Sequence, residues 1–596
     1  MRWSIRHRGI VVAGLAGLVF TGFSARLIHL QLIKHDEYAR IAADRNSIRL
    51  TISSRRGLIT DRNGEILATN VPKRRVVVDG THVKDAQALA EVAAPYLGIP
   101  EDQLAGLLNT ESRYKVICHD LSEERAMALR KAMNERKLRG LYFYETSKRV
   151  YPNGSMLAHV LGYLGRKSPE DESPCGVEGV ERSMEEYLHG RDGYRFIERD
   201  RKGREIVIYR GQEEKPRDGA TVELTIDMGL QAILEAELDA AVSELRPESL
   251  VALMVNPQNG EILAMASRPT FDPNRLEEME RAAIRNRVIM DVVEPGSTFK
   301  IVVTSAALEE GVVNESTKIF CENGKFFYGG RVLRDHHGYG QLTVGEILTK
   351  SSNIGCAKLA LMLGEGKFYA HVRMFGFGER TGVELPGELG GIVLPTHRWD
   401  KLTITRMPMG HAIAVTPLQI TMAMAAVANG GSLLRPKIVR AIRDDEGREI
   451  YRAKTEVLRR VMDQKTAQLI GAALKAVTQP GGTAKLAAVP GFSVAGKTGT
   501  AQKVGSKGGY SPGKYVVSFA GYMPAENPEF VCYVLVDDAK VPPSVNYGGL
   551  VAAPIFARIG ERAARYLNLV PVFRAEEVLP LAFQRNSESF HVGGEP

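Results

Sequence analysis

The sequence predicts a mixed α/β (α+β) protein in which an apolar N-terminal helix precedes two folded regions. Three observations lead there. The chain of 596 residues exceeds what one hydrophobic core normally supports, so two or three domains are expected. Short runs with strand-like alternation are interleaved with helical periodicity and separated by Gly, Pro and Asn-Gly turns. The polar stretch YRGQEEKPRDGA breaks the pattern just before residue 220.

The N-terminal segment MRWSIRHR carries three arginines, and Gly9 to Ala25 then runs seventeen residues without a charge. That is the lower limit for a helix crossing a bilayer, and Arg26 can snorkel at its far end. A cleaved signal peptide is the competing reading. No small-x-small site follows the run cleanly, because Phe23 precedes Ser24-Ala25, and LIHLQLIKHDEYARIA continues the helical pattern. Residues 9–33 are therefore expected to be an anchor, with 1–8 in the cytoplasm and nearly everything else outside.

Residues 34–220 read as a non-catalytic pedestal. Asp61-Arg-Asn-Gly64 is a turn between two short strands, and RVVVDG and LYFYET are extended. DAQALAEVAAPYLG is a helix with Asp85 as its N-cap and Gly98 as its stop. A helix and a Gly-punctuated hairpin follow between Gly176 and Ile206. Beyond the boundary, residues 221–575 form a second, larger domain. It opens with a strand and a long amphipathic helix, then two apolar strands around the turn Asn256-Pro-Gln-Asn-Gly260. Residues 576–596 are a tail too short for another domain.

Composition narrows the function. The net charge of +8 arises from 78 basic and 70 acidic residues, a mixed surface without the dense basic and aromatic stripe of a nucleic-acid binder. Five scattered cysteines with no C-x-x-C read as buried free thiols rather than zinc ligands or disulfides. His336-His337 lacks an acidic partner at helical spacing, so no metal site is expected.

The chemistry centres on Ser297-Thr-Phe-Lys300. Pro295-Gly296 stops a helix from entering, while STFKIVVTSAALEE reads as helical up to Gly311. Ser297 then sits at or beside the N-cap, and positions three apart share a face, so Lys300 reaches the Ser297 hydroxyl. Helix dipole and apolar neighbours both disfavour a protonated lysine, leaving an amine able to take the serine proton. Ser511-Pro-Gly-Lys514 repeats the spacing, but its internal Pro-Gly prevents a helical turn. Downstream, a Thr343/Glu346 capping box begins a helical run leading to Ser351-Ser-Asn353. There a hydroxyl and an amide can relay a proton and hold a substrate amide. Ser544-Val-Asn546 is a second copy of that spacing. Lys497-Thr498-Gly499-Thr500 lies in a β-like run, and its lysine and hydroxyls suit a carboxylate. Gly499 would let a substrate backbone approach. Strand alternation places Lys497 and Thr498 on opposite faces, and the sequence offers no account of how both reach one ligand.

The order S-x-x-K, S-x-N, K-T-G resembles the signature of the penicillin-recognising serine enzymes. RRGLITDRNGEILA, YPNGSMLAHVLGYLG, GVEGVERSMEEYL, NPQNGEILAMAS, RNRVIMDVVEPGSTFK, KSSNIG, VTPLQ and KTGTAQ together resemble the class B penicillin-binding proteins. The wording around the motifs is most similar to the division-type (septal) peptidoglycan D,D-transpeptidases. The likeness runs from the anchor to about residue 570.

That resemblance implies a five-stranded antiparallel sheet flanked by helices, set on an elongated pedestal. It implies Ser297 as nucleophile, Lys300 as base, and Ser351 and Asn353 in the proton network. Lys497, Thr498, Gly499 and Thr500 would bind the donor carboxylate, with the backbone N–H groups of Ser297 and Thr500 as oxyanion hole. No cofactor is implied. The implied partners are peptidoglycan stem peptides (donor D-Ala-D-Ala and acceptor amine), β-lactams as covalent inhibitors, the membrane, a polytopic glycan polymerase and division proteins. The implied location is the cytoplasmic (inner) membrane, with the catalytic domain in the periplasm or extracytoplasmic space at the septum. The alternatives are an elongation-type transpeptidase, a β-lactamase, or a non-catalytic β-lactam-binding scaffold or sensor.

Overall fold

The structure is a computed structural model that describes residues 5–38, 47–166, 174–199, 205–208, 213–505 and 509–571. The N-terminal helix α1 (Ile5–Ile28) has no buried residue. With the π-helical turn His29–Ile33 it makes a 29-residue apolar helix, long enough to cross a bilayer. The far end of its expected extension, like the tail 576–596, lies outside the described residues.

Two compact units are present. One comprises residues 1–55 and 190–218. Its antiparallel sheet takes the strands Ser47–Ile52, Gly193–Arg199 and Glu205–Ile208 in that order. The Ser54 amide and hydroxyl both donate to Asp192 Oδ1, at 2.8 and 3.0 Å.

The other unit comprises residues 56–189 and 219–596. Its upstream part holds β1 (Ile59–Thr60), β2 (Ile66–Val78), α2 (Ala86–Leu97), β3 (Lys115–Leu121), α3 (Glu123–Glu135) and β4 (Leu141–Val150). Asp61 tightens the β1–β2 turn by accepting from the amides of Asn63 and Glu65, each at 2.8 Å. The Asp85 carboxylate caps α2 through the Ala88 amide, and Gly98 closes the helix at φ 70°. Apolar faces of α2 and α3 pack on Val76, Val78 and Leu141 of the sheet to form a core. Beside it Glu181 is fully buried, accepting from Arg56 Nε at 2.6 Å, Arg149 Nε at 2.7 Å and Tyr151 Oη at 3.2 Å.

Downstream come β5 (Thr221–Leu224), α4 (Met228–Leu245), β6 (Ser249–Val255) and β7 (Ile262–Arg268). They are followed by α5 (Lys300–Glu309), the hairpin β8 (Lys325–Tyr328) and β9 (Arg331–Arg334), α6 (Val344–Thr349) and α7 (Asn353–Leu363). The chain ends in α8 (Pro417–Ala428), β10 (Val439–Arg443), α9 (Gln464–Val477), β11 (Ala495–Val504), β12 (Tyr510–Met523), β13 (Phe530–Asp537) and α10 (Ala552–Tyr566).

The central sheet is five-stranded in the order β7-β6-β13-β12-β11, antiparallel throughout. Every residue of β6 is buried, because helices cover both faces. Leu250, Ala252 and Met254 join the core under α4 and α10, while Val251, Leu253 and Val255 join the core containing α5 and α8. Such a strand reads as one apolar run rather than an alternation, which is why SLVALMV is legible as buried. The strand β5 pairs in parallel with β1 and antiparallel with β10, so one sheet carries strands from both sides of residue 220.

Candidate active site

The turn before α5 is a single 3-10 turn, Gly296–Phe299, so Ser297 lies inside that turn rather than at an α-helical N-cap. Thr298 Oγ1 donates to Pro295 O at 2.8 Å and closes it. Gly296 has φ 57°, and a Cβ there would meet Thr500 O at 2.9 Å and Thr500 N at 3.1 Å. On its other side, a Cβ on Gly410 (φ 82°) would lie 2.1 Å from Gly296 O. Two glycines thus let the turn wedge between Gly410 and the backbone of β11, and the backbone beside Ser297 comes to lie against that of Thr500.

Lys300 is the first residue of α5 and is 0% exposed. Its ammonium donates to Ser351 O at 2.6 Å, Asn353 Oδ1 at 2.7 Å and Ser351 Oγ at 3.1 Å. Among the described residues no hydrogen bond joins it to the Ser297 hydroxyl, although the sequence places both on one face. Its hydrogens are taken up by the Ser351–Asn353 segment. Lys497, also fully buried, donates to the same Ser351 Oγ at 3.0 Å. Burial lowers the pKa of Lys300, opposed by Cys356 and Asp335. Burial and then the charge of Lys300 push Lys497 well below its ordinary value. Two ammonium groups bridged by one hydroxyl oxygen in a dry site repel strongly, so the pair is poised to share charge.

The strand β11 lies at the edge of the central sheet, which answers the question of opposite faces. The Lys497 amine lies 3.4 Å from both Thr498 Oγ1 and Thr498 O, so it reaches the hydroxyl of its neighbour in the strand. Thr498 Oγ1 lies 3.4 Å from Thr483 Oγ1, and Thr500 Oγ1 accepts from the Gly548 amide at 3.2 Å. A Cβ on Gly499 would meet Ser518 Oγ at 2.3 Å and Pro295 O at 2.8 Å. The missing side chain therefore makes room for the nucleophile turn. The three motifs meet at Ser351 Oγ, which both lysines reach.

Residues 250–561 match the family model of the penicillin binding protein transpeptidase domain, over half of the chain. The chain belongs to the penicillin-binding protein family. Residues 51–224 of this penicillin-binding protein match the penicillin-binding protein dimerisation domain, the class B arrangement. It is 34% identical to stage V sporulation protein D of Bacillus subtilis over 95% of this chain and 87% of that one. It is 33% identical to the peptidoglycan D,D-transpeptidase FtsI of Escherichia coli over 95% and 93%. The crystal structure of penicillin binding protein 3 from Mycobacterium tuberculosis, complexed with aztreonam, superposes with a TM-score of 0.67 at 27% identity, covering 88% and 99% of the two chains.

Sequence reasoning passed over several residues that shape the site of this penicillin-binding protein. Asp335, at the exit of the β8–β9 hairpin, accepts from the Asn353 amide at 2.5 Å and the Ser352 hydroxyl at 2.7 Å. The next residue, His336, meets Tyr547 edge to face with ring centroids 6.1 Å apart, forming an aromatic rim. Beyond the nucleophile turn, Glu294 accepts from the Ala412 amide at 3.0 Å and the Tyr510 hydroxyl at 3.1 Å. Gly410 alone carried a readable signal, a glycine ahead of the VTPLQ helix start. The others depend on contacts between segments far apart in sequence.

Proposed function

We propose that this penicillin-binding protein is a membrane-anchored peptidoglycan D,D-transpeptidase that cross-links stem peptides through an acyl-enzyme on Ser297, in septal wall synthesis. The observation that carries the reading is the hydrogen-bonded chain Lys300–Ser351–Lys497 behind the Ser297 turn. Ser297 Oγ attacks the carbonyl carbon between the two terminal D-alanines, and its proton passes to Lys300. The backbone N–H groups of Ser297 and Thr500 hold the developing oxyanion. As the C–N bond breaks, Ser351 Oγ relays a proton to the leaving D-alanine amine. An acceptor amine then attacks the ester carbon and gives up a proton to Lys300, which returns it to Ser297 Oγ as the ester C–O bond breaks. Lys497, Thr498 and Thr500 bind the donor carboxylate at the open strand edge. Residues 9–33 form the anchor, 34–220 the pedestal and 221–575 the transpeptidase domain, outside the cytoplasmic membrane. β-Lactams enter the same chemistry as acylating inhibitors, and a polytopic glycan polymerase and division proteins are the proposed neighbours.

Detergent-solubilised full-length chain is expected to take up fluorescent penicillin covalently and to retain it, whereas Ser297→Ala should not label. Persistent labelling of the alanine variant would falsify the assignment, and rapid release of the label would favour a hydrolase. The septal role follows from the wording around the motifs. A tagged copy should therefore concentrate at midcell, and a uniform lateral-wall signal would point to elongation.

A further inference from the structure

We propose that Asp335 is the positioning residue of this site: it fixes the Ser351–Asn353 turn on Lys300 and supplies negative charge that supports the ammonium form of that lysine. The inference rests on the transpeptidase reading above. Its carboxylate reaches the start of α7 three times, accepting from the amides of Asn353 at 2.5 Å and Ile354 at 3.1 Å and from Ser352 Oγ at 2.7 Å. Asn353 Nδ2 is tied to the same hairpin exit, donating to Arg334 O at 3.0 Å. Ser352 Oγ in turn accepts from the Gly355 amide at 2.9 Å.

The clamp has work to perform, because Ser351 sits at φ 59°, a left-handed conformation that serine rarely adopts. In that conformation its carbonyl and its hydroxyl both meet Lys300, at 2.6 and 3.1 Å. Lys300 is therefore one residue removed from Asp335, through Asn353 Oδ1 at 2.7 Å. Among the described residues no cation is ion-paired with Asp335, so its charge is held by backbone amides at a helix N-terminus. It remains available to act on Lys300. The other groups that act on Lys300 or feel its charge come from separate elements: Lys497 from β11, Cys356 from α7, His336 beside Asp335, and His411 beyond Gly410. None of these four is a carboxylate, whereas Asp335 is, and it favours the charged form of Lys300.

A purely structural cap and a charge-balancing carboxylate differ in their pH signature. Asp335→Asn keeps the shape and most of the acceptor set but removes the charge, so Lys300 loses its proton at lower pH. The rate of acylation by fluorescent penicillin is measured from pH 5 to 10 on the full-length chain in detergent, with thermal melts for every variant. Asp335→Ala should slow acylation roughly tenfold or more at every pH. Asp335→Asn should move the acid limb of the profile down by about one pH unit or more. Wild-type acylation rates in Asp335→Ala would overturn the positioning role. An Asp335→Asn profile that is merely scaled down, with its acid limb unmoved, would overturn the charge role. Should Asp335→Ala fail to fold, the isosteric variant decides alone. Wild type that does not label, or Ser297→Ala that does, overturns the transpeptidase reading and this inference with it.

Discussion

Lys300 and Lys497 surrender solvent completely, and the structure returns them hydrogen-bond acceptors, with the Asp335 carboxylate acting on Lys300. Each lysine has a folded pKa below its ordinary 10.5. Between the two values the unfolded chain binds more protons, so stability rises with pH through that window. Below the folded pKa the deficit is fully present. Lys497→Met is accordingly expected to abolish acylation while stabilising the fold at neutral pH by about 1 kcal/mol or more. Thermal melts at stepped pH check this: the gain over wild type should shrink as pH approaches 10.5, and a pH-independent difference would contradict it. At this scale the sequence was legible in residue identity and opaque in contact. Ser297, Lys300, Ser351, Asn353 and Lys497 all stand out by spacing. That Lys300 bonds Ser351 and Asn353, 51 and 53 residues on, rather than Ser297 depends on where the β8–β9 hairpin puts the start of α7.

The elements that local chemistry specifies were readable in the sequence: α2 between Asp85 and Gly98, the capping box of α6, and the β6–β7 hairpin around 256–260. Two decisive features were not. The nucleophile turn is 3-10 rather than α, because its geometry is dictated by what it docks against. The placement of β11 at a sheet edge is a matter of long-range strand order, on which a ten-residue β-like run is silent. Gly410 tests how tightly the turn is held. Alanine there would need a left-handed φ and would press its Cβ into Gly296 O. Gly410→Ala should therefore displace Ser297 and reduce the acylation rate by roughly a hundredfold. Stopped-flow acylation measures it, and a loss under threefold would mean that the wedge tolerates movement.

Across the whole molecule, Glu181 ties together residues that the sequence scatters: Arg56 ahead of β1, Arg149 at the end of β4, and Tyr151. Glu181→Ala would leave the buried Arg149 guanidinium without its carboxylate, while Arg56 keeps Glu185 at 2.6 Å, a loss of roughly 3 kcal/mol. Its denaturant midpoint should fall accordingly, and an unchanged midpoint would show that water or rearrangement compensates. The apolar N-terminal helix makes a separate demand. The intact chain should stay with membranes through alkaline carbonate washing, and removal of residues 1–33 should release it. The sheet that carries β5 has a further consequence, for the order of events during synthesis. Its neighbours are β1, from the start of the chain, and β10, which follows more than 370 residues later; Arg440 Nη1 even donates to Arg62 O across a separation of 378 residues. At about 5–20 residues per second, β1 waits roughly 20–75 s for the strand that completes its sheet. Throughout that interval the nascent chain presents unpaired strand edges. Chaperone demand during synthesis should thus track the arrival of residues 439–443 rather than that of residue 220.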